Sequence, residues 1–199
     1  PMPPRDPFRV LCFGRLSGYK SAGPLALLLK AYDLKKEIPS LEITFVGGGW
    51  RAWKFRLLAE RINRKAGERF IRIAGTRTDP QPWFDQSTLV CAGSTSAVEA
   101  ALANRPVLAF SGFWIGRLAP EVMHLALANY FGERGGLHYV RERPELVPEG
   151  VLKIYREWDD PGMDENTACV RAALEPRFMR AGAAAEFTRI FDSLPQRDG

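Results

Sequence analysis

The 199-residue sequence contains few of the residues that build disulfide frameworks and metal sites. Its three cysteines, Cys12, Cys91 and Cys169, are far apart and form no C-x-x-C pair, and its two histidines, His124 and His138, lack the spacing of a ligand pair. An odd, dispersed set of cysteines argues against a disulfide scaffold and against a zinc site. We therefore expect buried thiols and no bound metal.

Long hydrophobic runs are also absent. A helix that crosses a bilayer needs about 20 apolar residues, and the sequence has no such run. The first seven residues, PMPPRDP, lack the charged and apolar blocks of a secretory signal. These absences predict a cytoplasmic chain. Its length and 46% hydrophobic content suit one core, so we expect a linker remnant at residues 1–7 and a single domain at residues 8–199.

Charge is nearly balanced, with 28 lysines and arginines against 23 acidic residues and a net charge of +5. The positive excess favours an anionic partner, such as a phosphate ligand or an acidic membrane surface. Because this excess is modest, we expect no nucleic-acid partner. Much of the positive excess lies in WRAWKFRLLAERINRKAGERFIRI (50–73), where cations interleave with apolar residues at helical spacing. The pattern is typical of the solvated face of an amphipathic helix, with a dedicated binding patch as the alternative.

Five short segments have the composition of strands buried on both faces of a sheet, because they are rich in Val, Ile, Leu and Phe. They are FRVLCF (8–13), LEITFV (41–46), FIRIA (70–74), TLVCA (88–92) and PVLAF (106–110). Helical patterns separate them: GPLALLLKAYDLKKEI (23–38), WRAWKFRLLAERINRKAG (50–67), PQPWFDQ (80–86) and STSAVEAALAN (94–104). This alternation predicts an α/β fold with a Rossmann-like open parallel sheet and helices on both faces.

A helical tail is expected after these elements. Its predicted helices are PEVMHLALANYF (120–131), PELVPEGVLKIYREW (144–158), MDENTACVRAALEPRFM (163–179) and AAAEFTRIFDSL (183–194). Before the tail, Phe113, Trp114 and Ile115 fall in a predicted loop, where such a run is hard to bury, so they indicate an interface with a missing domain or with a membrane. Trp50 and Trp53 are expected in the core, with a stacking or acceptor surface as the alternative.

Ligands of open parallel sheets bind outside the carboxyl ends of the strands, so the loops there form the candidate site. After the first strand come Gly14 and Arg15, and Lys20 follows just before a Gly-Pro helix start. These cations could meet a diphosphate at the helix N-terminus, or could be solvated in an exposed loop. After the second strand, VGGGW (46–50) allows close backbone approach to a ligand at Gly48, although a tight turn alone also explains it.

The segment GSTSAVE (93–99) places small hydroxyl residues where the fourth strand turns into a helix. Free backbone N–H groups of Ser94, Thr95 and Ser96, with the positive end of the helix dipole behind them, would form an anion site. Glu99 shares their helix face and would accept hydrogen bonds from a sugar diol beside that anion. Ser96 and Glu99 also fit a capping box, in which each side chain bonds the other's backbone N–H, and the segment alone leaves both interpretations open.

Taken in order, these segments resemble the C-terminal, donor-binding half of GT-B-fold glycosyltransferases of group 1, family 4. That group includes bacterial hexosyltransferases and sucrose and glycogen synthases. The segments are FGRLSGYKSAGPLALLLKAYDLKKEIPSLEITFVGGG (13–49), IRIAGTRTD (71–79) and STLVCAGSTSAVEAALANRPVLAF (87–110), within a match over residues 8–111. The resemblance implies one half of a GT-B fold, whose other half is a second Rossmann-like domain that holds the acceptor.

The resemblance also implies roles for the matching residues. Arg15 and Lys20 are the catalytic cations that neutralise the donor diphosphate and the leaving group. Glu99 matches the second Glu of the family's E-x-x-x-x-x-x-x-E motif and holds the ribose hydroxyls, while Gly75 and Thr76 border the base. The donor-binding positions together are Gly14, Gly48, Gly75, Thr76, Ser94, Thr95, Ser96 and Glu99.

One position departs from that pattern. The first Glu of the motif falls on Cys91, and AGSTSAVEAAL (92–102) resembles instead the matching segment of lipid A disaccharide synthase and of the N-acetylglucosamine transferase of peptidoglycan precursor synthesis. The stereochemical outcome therefore stays open. A whole enzyme of this type also needs two Rossmann-like domains, and the chain has the length of one.

We therefore expect the nucleotide-sugar-binding domain of a hexosyltransferase, with a UDP-sugar as donor substrate, no cofactor, and a missing N-terminal acceptor-binding domain as partner. Such a chain would be inactive alone and could lie peripherally on the inner face of a membrane. One alternative is a non-catalytic subunit that completes a split glycosyltransferase with a membrane partner. The other is a fragment similar to nucleotide-sugar 2-epimerases, against which the sequence offers no candidate acid/base pair.

Overall fold

The structure, a computed structural model, describes residues 3–179. Within this range one sheet has seven strands: β1 (Arg9–Phe13), β2 (Glu42–Val46), β3 (Ile71–Gly75), β4 (Leu89–Ala92), β5 (Val107–Phe110), β6 (Phe113–Arg117) and β7 (His138–Tyr139). The same range holds seven α-helices: α1 (Ala22–Glu37), α2 (Ala52–Ala66), α3 (Gln81–Asp85), α4 (Ser94–Leu102), α5 (Met123–Ala128), α6 (Leu146–Arg156) and α7 (Gly162–Phe178).

The first five strands run parallel in the order β3-β2-β1-β4-β5. Strands β6 and β7 extend the sheet antiparallel beyond β5. From β1 the chain winds outward through β2 and β3 and then returns to the other side of β1 as β4. The winding direction therefore reverses between β1 and β4, which is where open sheets leave a crevice for ligands at the carboxyl ends of their strands.

Helices cover both faces of the sheet because its central strands are apolar on both faces. Helices α1, α2 and α6 pack on one face, around Val10 and Phe45. Helices α3, α4, α5 and α7 pack on the other, around Leu11 and Val90. These layers confirm the predicted α/β fold, and each of the five predicted strands agrees with its observed bounds to within one residue at either end.

The prediction that Phe113, Trp114 and Ile115 lie in a loop is wrong, because they form β6. Ile115 is buried, and Trp114 stacks on Phe110 with 6.3 Å between the ring centroids. The antiparallel strand β6, between β5 and β7, therefore places in the sheet an apolar run that a loop would leave in water. The alternation of strand and helix that marked the parallel strands gave no signal for it, since β6 follows β5 with only Ser111 and Gly112 between them.

The expectation that Trp50 and Trp53 lie in the core is also wrong. Their side chains are 63% and 55% exposed, because Phe55 and Ala59 form the buried face of α2. The predicted end of this helix is confirmed: Gly67 follows α2 with φ +73, the left-handed conformation that glycine adopts readily at helix ends.

The C-terminal helices and the cysteines match the expectations only in part. The helix expected at 120–131 ends early, at Ala128, because Tyr130 and Phe131 take positive φ angles. Cys12 and Cys91 are buried as expected, whereas Cys169 is exposed. The helix predicted at 183–194 lies outside the described residues. Every helix within residues 3–179 is too short or too polar to cross a bilayer.

Candidate functional site

A cavity of about 210 Å³ lies at the reversal point of the sheet, at the carboxyl ends of β1, β4 and β5. Of the predicted site residues, six line it: Gly14, Arg15, Lys20, Ser94, Thr95 and Ser96. The remaining lining residues are Cys12, Phe13, Pro24, Cys91, Ala92, Gly93, Phe110, Ser111 and Glu133. Loops that are distant in the sequence therefore converge on one crevice, because β1 and β4 are neighbours in the sheet.

The two predicted cations have different surroundings in this cavity. Arg15 is exposed and makes no ion pair or hydrogen bond with another residue of the described range. Lys20 is mostly buried, and its Nζ lies 2.7 Å from Oε1 of Glu133. The cavity therefore contains one available positive charge and one that is already neutralised, so its net charge is smaller than the sequence indicates.

Glu133 is a residue of the candidate site that the sequence did not predict. Its Oε1 also accepts a hydrogen bond from the Tyr19 hydroxyl at 2.7 Å, and its Oε2 accepts one from the Ser111 hydroxyl at 2.9 Å. Burial alone would raise the pKa of Glu133, but the hydrogen bonds from Lys20, Tyr19 and Ser111 outweigh burial and lower that pKa. Glu133 is therefore a carboxylate at neutral pH.

The local sequence carried only a weak signal for Glu133, a lone acid in the break FGERGG (131–136). Its position depends on a turn in which Tyr130, Phe131 and Gly132 all have positive φ, at 48°, 53° and 86°. Such angles cost about 1–3 kcal/mol for each non-glycine residue, so surrounding contacts must hold them in place. Phe131 is fully buried, and that packing fixes the turn that carries Glu133 into the cavity.

The N-terminus of α4 also forms part of the cavity wall. Ser94, its first residue, has φ +58, and its N–H donates to the carbonyl oxygen of Phe131 at 3.4 Å. The expectation that all three N–H groups at this end are free is therefore wrong for Ser94, because the strained turn satisfies it. Thr95 and Ser96 occupy the first turn, where N–H groups have no partner within the helix, and the Thr95 hydroxyl lies 3.1 Å from that of Tyr130.

The capping-box interpretation of Ser96 and Glu99 is wrong. The residue that precedes α4 is Gly93, and no side chain caps this helix end. Ser96 lies inside the helix rather than at its cap, so Glu99 is left without that structural role. Glu99 lies one turn beyond Thr95, outside the cavity lining, and burial raises the pKa of its carboxyl above the ordinary value.

The other predicted donor-binding residues lie at the same edge of the sheet, outside the cavity lining. Gly48 and Thr76 meet where the loops after β2 and β3 touch, and a Cβ on Gly48 would stand 2.3 Å from the Thr76 hydroxyl oxygen. Gly47 donates its N–H to the carbonyl oxygen of Gly75 at 2.9 Å. Close packing between these loops therefore requires the glycines, whether or not a ligand approaches them.

Two thiols form part of the cavity floor. Cys12 on β1 and Cys91 on β4 are directly paired in the register of the parallel strands, and both are buried. Burial raises the pKa of Cys12 to about 12, and burial followed by the neighbouring Cys12 raises the pKa of Cys91. Both are therefore neutral thiols, which are poor nucleophiles, and the position that the family gives to its first Glu has no negative charge.

No family model matches the sequence, and no curated protein matches it significantly. Solved structures do match the fold. HepE of Anabaena in complex with UDP superposes with a TM-score of 0.64 and 19% identity, over 94% of this chain and 49% of HepE. The pneumococcal O-GlcNAc transferase GtfA in complex with UDP and GlcNAc superposes with a TM-score of 0.64 and 15% identity, over 94% of this chain and 36% of GtfA.

A glycosyltransferase from Rickettsia africae superposes with a TM-score of 0.67 and 15% identity, over 98% of this chain and 50% of that one. The chain therefore has the fold of one half of a GT-B glycosyltransferase, which confirms the resemblance seen in its sequence. It spans about half the length, or less, of the structures that it matches.

Proposed function

We propose that the chain binds a nucleoside diphosphate sugar, with UDP as the nucleotide, in the cavity at the reversal point, as the donor-binding half of a glycosyltransferase. The observation that carries this proposal is the convergence of Arg15, Lys20 and the N-terminus of α4 on one crevice between β1 and β4. A diphosphate is the ligand that uses all three, because cations and a helix N-terminus each stabilise negative charge. HepE and GtfA, which share the fold, were solved with UDP bound.

In the proposed reaction an acceptor hydroxyl attacks the anomeric carbon of the donor, and the bond from that carbon to the diphosphate oxygen breaks. The acceptor hydroxyl loses its proton to solvent as the new bond forms. Negative charge then accumulates on the departing diphosphate. Arg15, which has no other partner in the described range, and the N–H groups of Thr95 and Ser96 would stabilise it. Preorganised donors of this kind are each worth about 3–4 kcal/mol in other enzymes.

Glu133 has a positioning role in this scheme. It holds the Lys20 ammonium and the Tyr19 hydroxyl at the mouth of the cavity, so both are ordered before the donor arrives. It also places a negative charge near the diphosphate, which weakens nucleotide binding and favours release of the product. The Lys20 ammonium would therefore contact the ligand while it keeps its ion pair with Glu133.

We infer that the acceptor is bound by a second Rossmann-like half, supplied by sequence outside these 199 residues or by another protein. The length of the matching structures supports this inference, since this chain covers 36–50% of the three described above. The chain alone is then expected to bind the nucleotide weakly and to transfer no sugar. Measurable sugar transfer by the purified chain would contradict this part of the proposal.

Calorimetric titration of the chain with UDP, GDP, ADP and CMP tests the donor site. We expect one diphosphate to bind, and Arg15→Ala to weaken it by about 1–3 kcal/mol, as loss of a charged hydrogen bond does. Lys30→Ala, which removes an exposed cation of α1 remote from the cavity, is the matched control and should leave the affinity unchanged. Absence of binding at millimolar nucleotide, or equal losses in both variants, would refute the site.

A further inference from the structure

Helix α2 has a second apolar stripe that the core does not use. Its inner face packs Phe55 and Ala59 into the sheet. On the outer face, Trp53 and Leu57 are four residues apart and therefore adjacent on the helix surface, and they are 55% and 58% exposed. Trp50, just before the helix, adds a third large apolar side chain, 63% exposed. Exposed apolar groups collected in this way indicate a binding surface.

The same surface carries a concentrated positive charge. Residues 50–65 contain six cations and one acid, a net charge of +5 that equals that of the whole chain. The cations are Arg51, Lys54, Arg56, Arg61, Arg64 and Lys65. None of them takes part in an ion pair within residues 3–179, although cations elsewhere in that range form eleven.

Cations and apolar groups alternate along this face. The Arg51 guanidinium lies 4.6 Å from the Trp50 ring centroid, and the Lys54 ammonium lies 5.3 Å from that of Trp53. Arg61 continues the row four residues after Leu57. We name this surface, formed by Trp50, Trp53, Lys54, Leu57, Arg61 and Arg64, the α2 face.

We propose that the α2 face docks on the surface of an anionic lipid bilayer. Tryptophan rings favour the headgroup level, and Lys and Arg beside them are attracted to anionic lipids. A helix with an apolar stripe and cations lies in the interface plane with that stripe between the headgroups and the acyl chains. A nucleic acid would use the cations and the rings, but it offers no apolar layer to the exposed aliphatic side chain of Leu57.

Docking in this way would bring the candidate site to the membrane. Trp50 directly follows the glycines at the carboxyl end of β2, so the α2 face begins at the edge of the sheet where the cavity lies. Its other end, at Arg64, is about 20 Å away along the helix, at 1.5 Å per residue. The inference does not depend on nucleotide binding, since it rests on residues that do not line the cavity.

Co-sedimentation of the chain with lipid vesicles tests this proposal, with no nucleotide present. We expect binding to vesicles of equimolar phosphatidylcholine and phosphatidylglycerol, and little binding to phosphatidylcholine alone. The triple variant Lys54→Glu, Arg61→Glu, Arg64→Glu should lose about tenfold or more in partitioning, because each cation contributes severalfold. The matched control, Lys30→Glu, Lys153→Glu, Arg171→Glu, makes the same change in net charge on other helices and should bind nearly as the parent does.

A second variant separates lipid insertion from simple charge attraction. Trp53→Ser, Leu57→Ser leaves all cations in place and alters two side chains that are more than half exposed, so the fold should persist. We expect this double variant to bind vesicles more weakly than the parent does. Its preference for vesicles that contain phosphatidylglycerol over phosphatidylcholine alone should fall only slightly. Circular dichroism checks that every variant is folded, and a folded variant with unchanged binding counts against the proposal.

Four results would overturn the proposal. The chain could fail to bind either vesicle, or the two triple variants could lose binding equally, which would indicate non-specific charge attraction. A single-stranded RNA could bind more tightly than the vesicles and show the same dependence on the α2 face, which would make this face a nucleic-acid surface. Self-association that the Ser double variant abolishes, without vesicle binding, would make it a protein interface. UDP titration of the same preparations is a separate measurement, so failure of the donor site is distinguishable from failure here.

Discussion

Lys20 and Glu133 form an ion pair with 2.7 Å between Nζ and Oε1, and this pair joins the loop after β1 to the strained turn that follows α5. The Tyr19 and Ser111 hydroxyls donate to the same carboxylate, so three segments of the chain meet at one charge. The pair lies in the wall of the cavity that contains both predicted cations. Any anion that enters this cavity must compete with Glu133 for Lys20.

Glu133→Gln is expected to increase UDP affinity, because it removes a negative charge beside the diphosphate while keeping the shape of the side chain. Lys20→Ala should weaken binding more than Arg15→Ala does, since it removes a cation and also leaves the negative charge of Glu133 without its ion-pair partner beside the diphosphate. Combining Lys20→Ala with Glu133→Gln should then recover part of the loss. Calorimetry measures all four, with Glu121→Gln as an exposed control. Weaker binding by Glu133→Gln would mean that its carboxylate orients Lys20 more than it competes for it.

Glu133 should also make stability depend on pH. Its pKa is lowered from the ordinary 4.5, so the unfolded chain binds this proton more readily than the folded one. The stabilisation is therefore present above pH 4.5 and is lost as pH falls through the lowered pKa. Urea unfolding of the parent and Glu133→Gln should show a difference in free energy of unfolding at about pH 6 that shrinks toward about pH 3. A difference that stays constant across this range would exclude the ion pair as its source.

The proposed role of Glu99 predicts discrimination between ribose and deoxyribose. If its carboxylate holds the ribose hydroxyls, Glu99→Ala should weaken UDP by about 1–3 kcal/mol and weaken 2′-deoxy-UDP, which keeps only the 3′-hydroxyl, by less. Titrating both nucleotides into both proteins gives a double-mutant cycle that isolates the contact. Equal losses for the two nucleotides would leave Glu99 as an exposed residue of α4 that has no part in the site.

Ser94 is expected to tolerate glycine better than a β-branched residue, because its φ is +58. Ser94→Val should lower the free energy of unfolding by about 1–3 kcal/mol, the cost of holding such a residue in the left-handed region. Ser94→Gly should stay near the parent, since glycine adopts this angle without strain. The order should reverse at Ser96, which lies in α4 without a positive φ. Urea unfolding of the four variants would show whether the strained angle exists.

The three thiols should react at very different rates. Cys169 is exposed, whereas Cys12 and Cys91 are buried with raised pKa values, so few of their thiolates exist at neutral pH. Peptide mass spectrometry after iodoacetamide treatment should find rapid modification of Cys169 and slow modification of the other two. Nucleotide should slow Cys12 and Cys91 further, because they line the cavity floor, and leave Cys169 unaffected. Uniform rates would contradict this arrangement.

The sequence alone was sufficient for the parallel part of the fold. Strands buried on both faces require continuous apolar segments, and helices beside them require apolar residues at helical spacing, so β1 to β5 and α1 to α4 were visible as local patterns. The same pattern did not predict β6, because no helix separates the apolar run of β6 from β5. It also predicted wrongly that Trp53 lies in the core, because one helix can carry an apolar face toward solvent as well as one toward the core.

The sequence by itself determined the order of strands and helices and the placement of Arg15, Lys20 and the Ser94 turn at strand ends, because each depends on a few neighbouring residues. Only the tertiary structure decided that Glu133 meets Lys20, and that the Phe131 carbonyl oxygen accepts a hydrogen bond from the Ser94 N–H. It also decided that the six cations of residues 50–65 form no ion pair within residues 3–179. These relationships join segments that are far apart in the chain. Which of them meet depends on how the helices pack around the sheet, and the residues on either side of a charge do not specify that packing.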